Sequence, residues 1–283
     1  MSGTNSSVPP GIARATSIKA VVFDWAGTTV DFGSLAPVRT LQRVFEQAGC
    51  PVTEAEARLS MGLPKRDHIQ SLLRAPEVAT RWQKVHGTAP NERDVELLYE
   101  HFVPLQFDCL AEYAAVIPGV TMITAKLRER GISIGSTTGY TRAMLDVLLE
   151  HSRRSGYEPD VSFSPEDVGS GRPHPFMMYE AAVQLKVYPM ASIVKVGDTP
   201  ADIAEGLNAG AWTVGVVETG NMVGLSLAEL NALPKSERDA RVAAGKAALV
   251  AAGAHYVINS VAELESVLNE IEERLMAANG VAR

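Results

Sequence analysis

Five stretches of the chain carry their apolar residues in unbroken runs: IKAVVFDW (18–25), ISIGSTTG (132–139), ASIVKVGD (191–198), AWTVGVV (211–217) and HYVINS (255–260). A strand with one wet face alternates apolar and polar residues, whereas a strand covered on both faces need not. These runs, each bounded by Gly, Asp or Asn, therefore read as buried parallel strands. Between them the apolar period lengthens to that of a helix. Val120, Ile123 and Leu127 share one face over 119–130, and Val261, Leu264, Leu268 and Ile271 share one over 261–275, behind a capping box expected from Ser260 and Glu263. The alternation predicts an α/β fold, a doubly wound (Rossmann-like) parallel sheet.

The chain between the first two strands breaks this alternation. From Ser34 to Ala111 the pattern is helical nearly throughout, with a capping box from Thr53 and Glu56 and a broad apolar face on VELLYEHFVPL (95–105). That is too long for a crossover helix and predicts an inserted helical cap domain over 34–111, rooted near 33 and 112. The core domain then comprises 18–33 and 112–276, with tails at 1–17 and 277–283. The N-terminal tail, MSGTNSSVPPGIARATS, is small and polar and lacks the apolar stretch of a secretory signal.

Bulk properties narrow the function. The 283 residues are 46% hydrophobic and 21% charged, with a net charge of −7. That balance argues against a nucleic-acid surface, which needs clustered Lys and Arg. No apolar run approaches the ~20 residues that span a bilayer. Cys50 and Cys109 lie far apart and form no CxxC pair, so the chain is expected to be reduced and cytoplasmic.

Ligands of open α/β sheets sit beyond the carboxyl ends of the strands. Asp24 ends the first run, Thr138 and Gly139 the second, and Asp198 the third, while GRPHP (171–175) offers Arg172 ahead of a helix. These supply a carboxylate nucleophile, a hydroxyl and backbone N–H groups for phosphate, a fixed cation, and an acid for a metal. A phosphoryl group in transit needs that set. In GDTPAD (197–202), a helix starting at Pro200 brings Asp202 to the same cavity as Asp198, where both can hold Mg²⁺ through oxygen. Lys195, on the strand before Asp198, is sent by alternation to the face away from Asp24, as a cation that is structural or stands behind the metal ligands.

Asp24 with Thr28, then Thr138, Arg172 and GDTPAD resemble the four ordered motifs of the haloacid dehalogenase superfamily of phosphotransferases. The resemblance covers about residues 18–276. It implies a covalent aspartyl-phosphate on Asp24, Mg²⁺ bridging Asp24 and the phosphoryl group, and a helical cap inserted after the first motif. One position departs from it. Ala26 stands where phosphatases of the superfamily carry the Asp that protonates the leaving oxygen, and only its backbone carbonyl remains for the metal. A phosphate ester without that acid forfeits the ~10²–10⁴-fold of general acid catalysis.

MGLPKRDHI (61–69) offers another way to discharge a leaving group. Lys65 and His68 lie one helical turn apart, and an amine near a phosphorus site suggests a Schiff base with a carbonyl substrate. If the bond broken is P–C, the departing carbanion is stabilised as an enamine and no acid is needed at position 26. DWAGTTVD, MGLPKRDH, GSTTGYTR, GRPHPFMMY and KVGDTPAD together resemble the phosphonoacetaldehyde hydrolase (phosphonatase) family. The resemblance implies cleavage of phosphonoacetaldehyde to acetaldehyde and phosphate, in 2-aminoethylphosphonate degradation. It assigns Asp24 as nucleophile, Lys65 as imine-forming lysine, and His68 and Met61 as its catalytic neighbours, His68 as proton shuttle. Gly62, Thr138, Gly139 and Arg172 bind substrate or phosphate; Asp24, Ala26, Asp198 and Asp202 form the Mg²⁺ site. It also implies a homodimer joined through the caps. The competing readings are a sugar-phosphate phosphatase or mutase with another base, a non-enzymatic phosphate-binding module, and a dehalogenase proper.

Overall fold

Alternate residues of the first strand bury themselves on opposite faces of one sheet, which explains its unbroken apolar run. In a computed structural model describing residues 17–278, β1 (Ala20–Phe23) sends Val21 and Phe23 into one apolar cluster and Ala20 and Val22 into another. Every expected strand forms, shorter at both ends than its run: β2 (Ser133–Thr137), then, after a short β3 (Val161–Phe163), β4 (Ile193–Gly197), β5 (Trp212–Val216) and β6 (Tyr256–Ile258). The unexpected β3 is a half-buried edge strand too short to carry a period. The six strands are parallel in the order β3-β2-β1-β4-β5-β6. This doubly wound order reverses direction between β1 and β4, so a crevice opens beyond their carboxyl ends.

Thirteen helices accompany the sheet among the described residues. Five lie between β1 and β2: α1 (Leu35–Gln47), α2 (Glu54–Arg58), α3 (Lys65–Arg74), α4 (Pro76–His86) and α5 (Glu92–Tyr113). They form the inserted helical cap. The Thr53–Glu56 capping box closes as expected, with the Glu56 N–H donating to Thr53 Oγ1 (3.2 Å) and the Thr53 N–H to Glu56 Oε2 (2.8 Å). α5 runs two residues past the expected end of the insert at 111, because nothing in Ala111–Tyr113 breaks a helix. The chain returns to the core just beyond, where the Ile117 N–H bonds the Thr29 carbonyl (2.9 Å) and the Asp31 N–H the Ala115 carbonyl (3.3 Å). The two crossings are thus tied side by side.

The remaining helices flank the sheet: α6 (Val120–Glu129), α7 (Arg142–Arg154), α8 (Pro165–Val168), α9 (Phe176–Gln184), α10 (Pro200–Ala209), α11 (Leu227–Ala232), α12 (Lys235–Ala251) and α13 (Leu264–Ala278). The capping box expected from Ser260 and Glu263 does not form. Val261–Glu263 make a 3-10 turn, the Ser260 hydroxyl accepts from the Ala262 N–H, and the Glu263 carboxylate reaches back to Asn259. α13 continues through Ala278, two residues into the expected tail at 277–283. Residues 1–16 and 279–283 of the expected tails lie outside the described residues.

Candidate active site

The sheet ends two strands side by side at the crevice, each followed by an aspartate. The Asp24 N–H donates to the Val196 carbonyl (2.8 Å), continuing the β1–β4 ladder by one rung and placing the Asp24 carboxylate just outside it. On the neighbouring strand, Gly197 leads to Asp198, and Thr199 then caps α10. The Asp202 N–H donates to Thr199 Oγ1 (3.3 Å), while Asp202 Oδ2 accepts from the Thr199 hydroxyl (2.6 Å). The expected helix start at Pro200 is therefore correct. Carboxylate oxygens of Asp24, Asp198 and Asp202 all lie within 4.8 Å of one another, and all three residues are buried.

Three buried acids in such a space need compensating positive charge. Arg172 supplies the first share. Its Nη2 donates to Asp24 Oδ1 (2.7 Å) and to the Thr137 carbonyl (2.8 Å), its Nη1 lies 3.0 Å from Asp202 Oδ1, and its Nε donates to Glu205 Oε2 (2.9 Å). Burial opposes its charge, but Asp202, Asp24 and Glu205 together hold the guanidinium firmly protonated. Lys195 supplies the second share from below. Alternation does send it to the face away from Val194 and Val196, and there α10 meets it: Nζ contacts Glu205 Oε2 (2.9 Å), Asp202 Oδ1 (3.1 Å) and Thr137 Oγ1 (2.6 Å).

Four buried acids thus face two fixed cations, and the imbalance falls on Asp24 and Asp198. Burial, reinforced by Asp202, pushes the Asp24 carboxyl above the usual range despite Arg172. Burial and then Asp24 push Asp198 higher still. Asp202 goes the other way: burial would raise it, but Arg172 and Lys195 hold it low. Asp198 Oδ1 is buried with no hydrogen-bond partner among the described residues, while Oδ2 accepts only from the Asn221 N–H (2.7 Å). An orphaned carboxylate oxygen beside a second unneutralised acid, in an all-oxygen donor set, fits a hard divalent cation. Asp202, with both oxygens already engaged, fits the position behind such an ion.

The cap closes the other side. A small cavity of about 20 Å³ is walled by Asp24, Ala26, Thr138, Gly139, Arg172 and Asp198 from the core, and by Met61, Gly62 and Lys65 from the cap. Backbone contact makes this closure tight. A Cβ at Gly62 (φ +91°) would stand 2.3 Å from Thr199 Oγ1, and one at Gly139 would stand 2.5 Å from the Leu63 carbonyl oxygen. The Gly62 carbonyl also accepts from Arg172 Nη1 (3.4 Å). Such a space holds about one water.

Lys65 opens α3 and is buried, with no ion pair or hydrogen bond at Nζ among the described residues. Its ammonium faces the Tyr140 ring, 4.5 Å from the centroid. Burial lowers its pKa to about 8, against a smaller upward pull from Asp24. His68 follows one turn later and does not wall the cavity. Its Nε2 lies 2.9 Å from the Ala57 carbonyl and must therefore carry the proton, which leaves Nδ1 a bare acceptor without a partner among the described residues. Burial, with Lys65 adding, lowers its pKa to about 3, so the ring is neutral.

The sequence motifs contain Tyr140 and Thr199 without giving them a role, and do not include Glu205 or Ser34. Tyr140 touches Lys65, Glu205 anchors both cations, and Ser34, Pro37 and Thr199 complete the cavity wall with Tyr140. Glu205 was detectable, standing three residues after Asp202 on the same helical face. Trp25 packs beside the nucleophile loop, its indole N–H donating to Ser136 Oγ (2.9 Å).

Known proteins resemble this chain in sequence and in fold. The family model for haloacid dehalogenase-like hydrolases matches residues 18–210, and a second model for hydrolases of that type matches 169–264. The chain is 44% identical over 257 residues to a phosphonoacetaldehyde hydrolase of Bacillus cereus, an alignment covering 91% of this chain and 97% of the relative. The chain belongs to the haloacid dehalogenase-like hydrolases, in the phosphonoacetaldehyde hydrolase family. The Bacillus anthracis phosphonoacetaldehyde hydrolase matches with the same identity and coverage. Among solved structures, a phosphonoacetaldehyde hydrolase-like protein from Oleispira antarctica superposes with a TM-score of 0.91 at 40% identity, covering 95% of this chain and 98% of that one. A haloacid dehalogenase family hydrolase from Deinococcus radiodurans, with a TM-score of 0.58 and 23% identity, covers 91% of this chain and 97% of that one, and shares the fold.

Proposed function

We propose that this hydrolase cleaves the P–C bond of phosphonoacetaldehyde through a Lys65 imine and an Asp24 aspartyl-phosphate, giving acetaldehyde and phosphate. One observation carries the reading: Asp24, Ala26 and Lys65 wall the same small cavity. A nucleophile is present, the acid that an ester needs is missing, and a buried amine stands in its place. With its pKa near 8, roughly a tenth of Lys65 is free amine at pH 7. The free amine adds to the aldehyde carbonyl and expels water to leave a protonated imine. His68, neutral and bare at Nδ1, follows Lys65 by one helical turn and would move protons during that condensation.

Asp24 then attacks phosphorus. The P–C electron pair flows into the iminium, forming a neutral enamine on Lys65, so no proton is required at the leaving atom. Protonation of the enamine carbon and addition of water release acetaldehyde and restore Lys65. Water attacking the aspartyl-phosphate releases phosphate and restores Asp24. Arg172, Thr138 and Gly139 wall the cavity and would steady the charge on the phosphorus oxygens. Asp24, Asp198 and the Ala26 carbonyl would hold Mg²⁺, with Asp202 beside them. Bound there, the ion neutralises the phosphonate and the acids around it.

A cap domain over 34–111 moving on the core belongs to the same proposal, as do a cytoplasmic setting, a role in 2-aminoethylphosphonate breakdown and a homodimer joined through the caps. Both cysteines are free thiols, and the cap exposes Leu59, Val85 and Leu97. The test is stoichiometry. Purified enzyme with Mg²⁺ is expected to release acetaldehyde and phosphate in equal amounts from phosphonoacetaldehyde, and to lose that activity to a chelator. Faster phosphate release from ordinary phosphate esters, without acetaldehyde, would favour the phosphatase reading instead.

A further inference from the structure

The turn between α2 and α3 delivers Met61, Gly62 and Lys65 to the cavity, and one side chain ties the start of that turn to the core. Arg58 ends α2, and its guanidinium crosses the gap. Nη1 donates to the Gly33 carbonyl (3.0 Å) and to Asn221 Oδ1 (3.0 Å), and Nη2 donates to the Gly224 carbonyl (2.8 Å). Asn221 returns a bond, Nδ2 donating to the Arg58 carbonyl (3.3 Å). A glycine makes room for the contact: a Cβ at Gly224 (φ +69°) would lie 2.6 Å from Arg58 Cζ and Nε. Asn221 is also the residue whose N–H holds Asp198 Oδ2. A single loop, 219–225, thus holds an acid of the site through Asn221 and grips the cap through Asn221 and Gly224.

The partners differ in charge in an instructive way. Every core group that Arg58 hydrogen-bonds among the described residues is a neutral carbonyl or amide, and the core carboxylates that feel its charge, Asp31 and Glu229, form no ion pair with it. Its one carboxylate partner, Glu54 Oε1 at 2.7 Å, lies one turn earlier on α2 and travels with the cap. A guanidinium paired to a core carboxylate in this half-dry cleft would resist opening. One neutralised by its own helix can release and re-form its core bonds at each turnover.

Resting on the function proposed above, we propose that Arg58 is a positioning residue, a reversible clamp that fastens the α2–α3 turn to loop 219–225 and so sets Lys65 against Asp24. It touches no reacting atom and acts through the turn it holds. Misplacing a reacting group by an ångström costs on the order of 10²-fold, so Arg58→Met is expected to lower kcat/KM by about that factor at unchanged overall fold. Arg58→Lys, which cannot span two carbonyls and an amide, is expected to recover only part. Asn221→Ala removes the clamp from the core side and is expected to cost about tenfold. The double variant Arg58→Met with Asn221→Ala should lose less than the two single losses combined, because the Arg58–Asn221 side-chain bond is shared while Asn221 Nδ2 still reaches the backbone carbonyl at position 58.

Amide hydrogen exchange in the substrate-free enzyme gives a readout independent of the reaction. Arg58→Met and Asn221→Ala should each accelerate exchange in 59–64 and in 219–224 together. Faster exchange in 59–64 alone would mark Arg58 as a local brace of α2 and overturn the clamp, as would additive losses in the double variant. If the wild-type enzyme fails to cleave phosphonoacetaldehyde, the functional reading falls, and the exchange data still decide the clamp.

Discussion

The two walls of the cavity are built on opposite principles. On the core wall both cations are committed, Arg172 to three carboxylates and Lys195 to two, and a capping box pins Asp202; of the acids, only Asp198 has no ion-pair partner among the described residues. On the cap wall, Lys65 and His68 are buried with Nζ and Nδ1 unpartnered among the described residues. A paired network holds its groups in one charge state and one geometry, which suits phosphoryl chemistry. An unpaired amine is costly to bury charged, so burial drives it toward the neutral nucleophile that imine formation needs. Under the function proposed above, the cap wall would take on that character only while closed, so that one closure event would switch on the amine and exclude water together.

Removing a central group from either wall should give the largest effects. Asp24→Asn keeps the shape and removes the nucleophile; phosphate release from phosphonoacetaldehyde is expected to fall by ~10⁴-fold or more. Lys65→Arg keeps the positive charge but never offers a free amine. It is expected to lose ~10³-fold or more, while the core wall still binds inorganic phosphate in a calorimetric titration.

The pH profile sharpens the comparison further. Because burial lowers the Lys65 pKa from 10.5 to about 8, the reactive form accumulates as pH rises. The kcat/KM profile should therefore climb about tenfold per pH unit up to a bend near pH 8. Linkage gives the matching sign for stability. Between about pH 8 and 10.5 the unfolded chain binds the Lys65 proton and the folded chain does not, so this residue's contribution to stability rises with pH across that window. Lys65→Met should flatten that rise in a melting series. The smallest effect is expected from Lys195→Met, which loosens the base of the core wall without touching the cavity. It should lower turnover ~10-fold and leave the pH bend in place.

How much of this was legible in the sequence follows from how far each signal travels along the chain. Strand-end acids are local: an apolar run closing on Asp24 or Asp198 marks the crevice, and the spacing of Asp198 and Asp202 needs only a helix start at Pro200. Lys65 was legible through its motif and the alanine at position 26. The cavity's remaining contacts come from elements far apart in sequence. Tyr140 meets Lys65 only because the cap folds back over β2, and Arg58 meets Gly224 only because two loops converge. Lys195 shows a finer limit. Strand alternation assigns its face correctly, yet its long stem still reaches Asp202 at the rear of the acid cluster. Short edge elements such as β3, and the Ser260 turn where a 3-10 geometry displaces the capping box, carry too few residues for periodicity to decide.

The central claim is that Lys65 forms the imine, and a reductive trap tests it directly. Enzyme, Mg²⁺ and phosphonoacetaldehyde are mixed, reduced with sodium borohydride, and the peptide carrying Lys65 is mapped by mass spectrometry. The account predicts a two-carbon adduct on Lys65, absent when aldehyde is omitted and absent in Lys65→Arg. Acetaldehyde and phosphate released at full rate, with borohydride neither inactivating the enzyme nor marking Lys65, would contradict it.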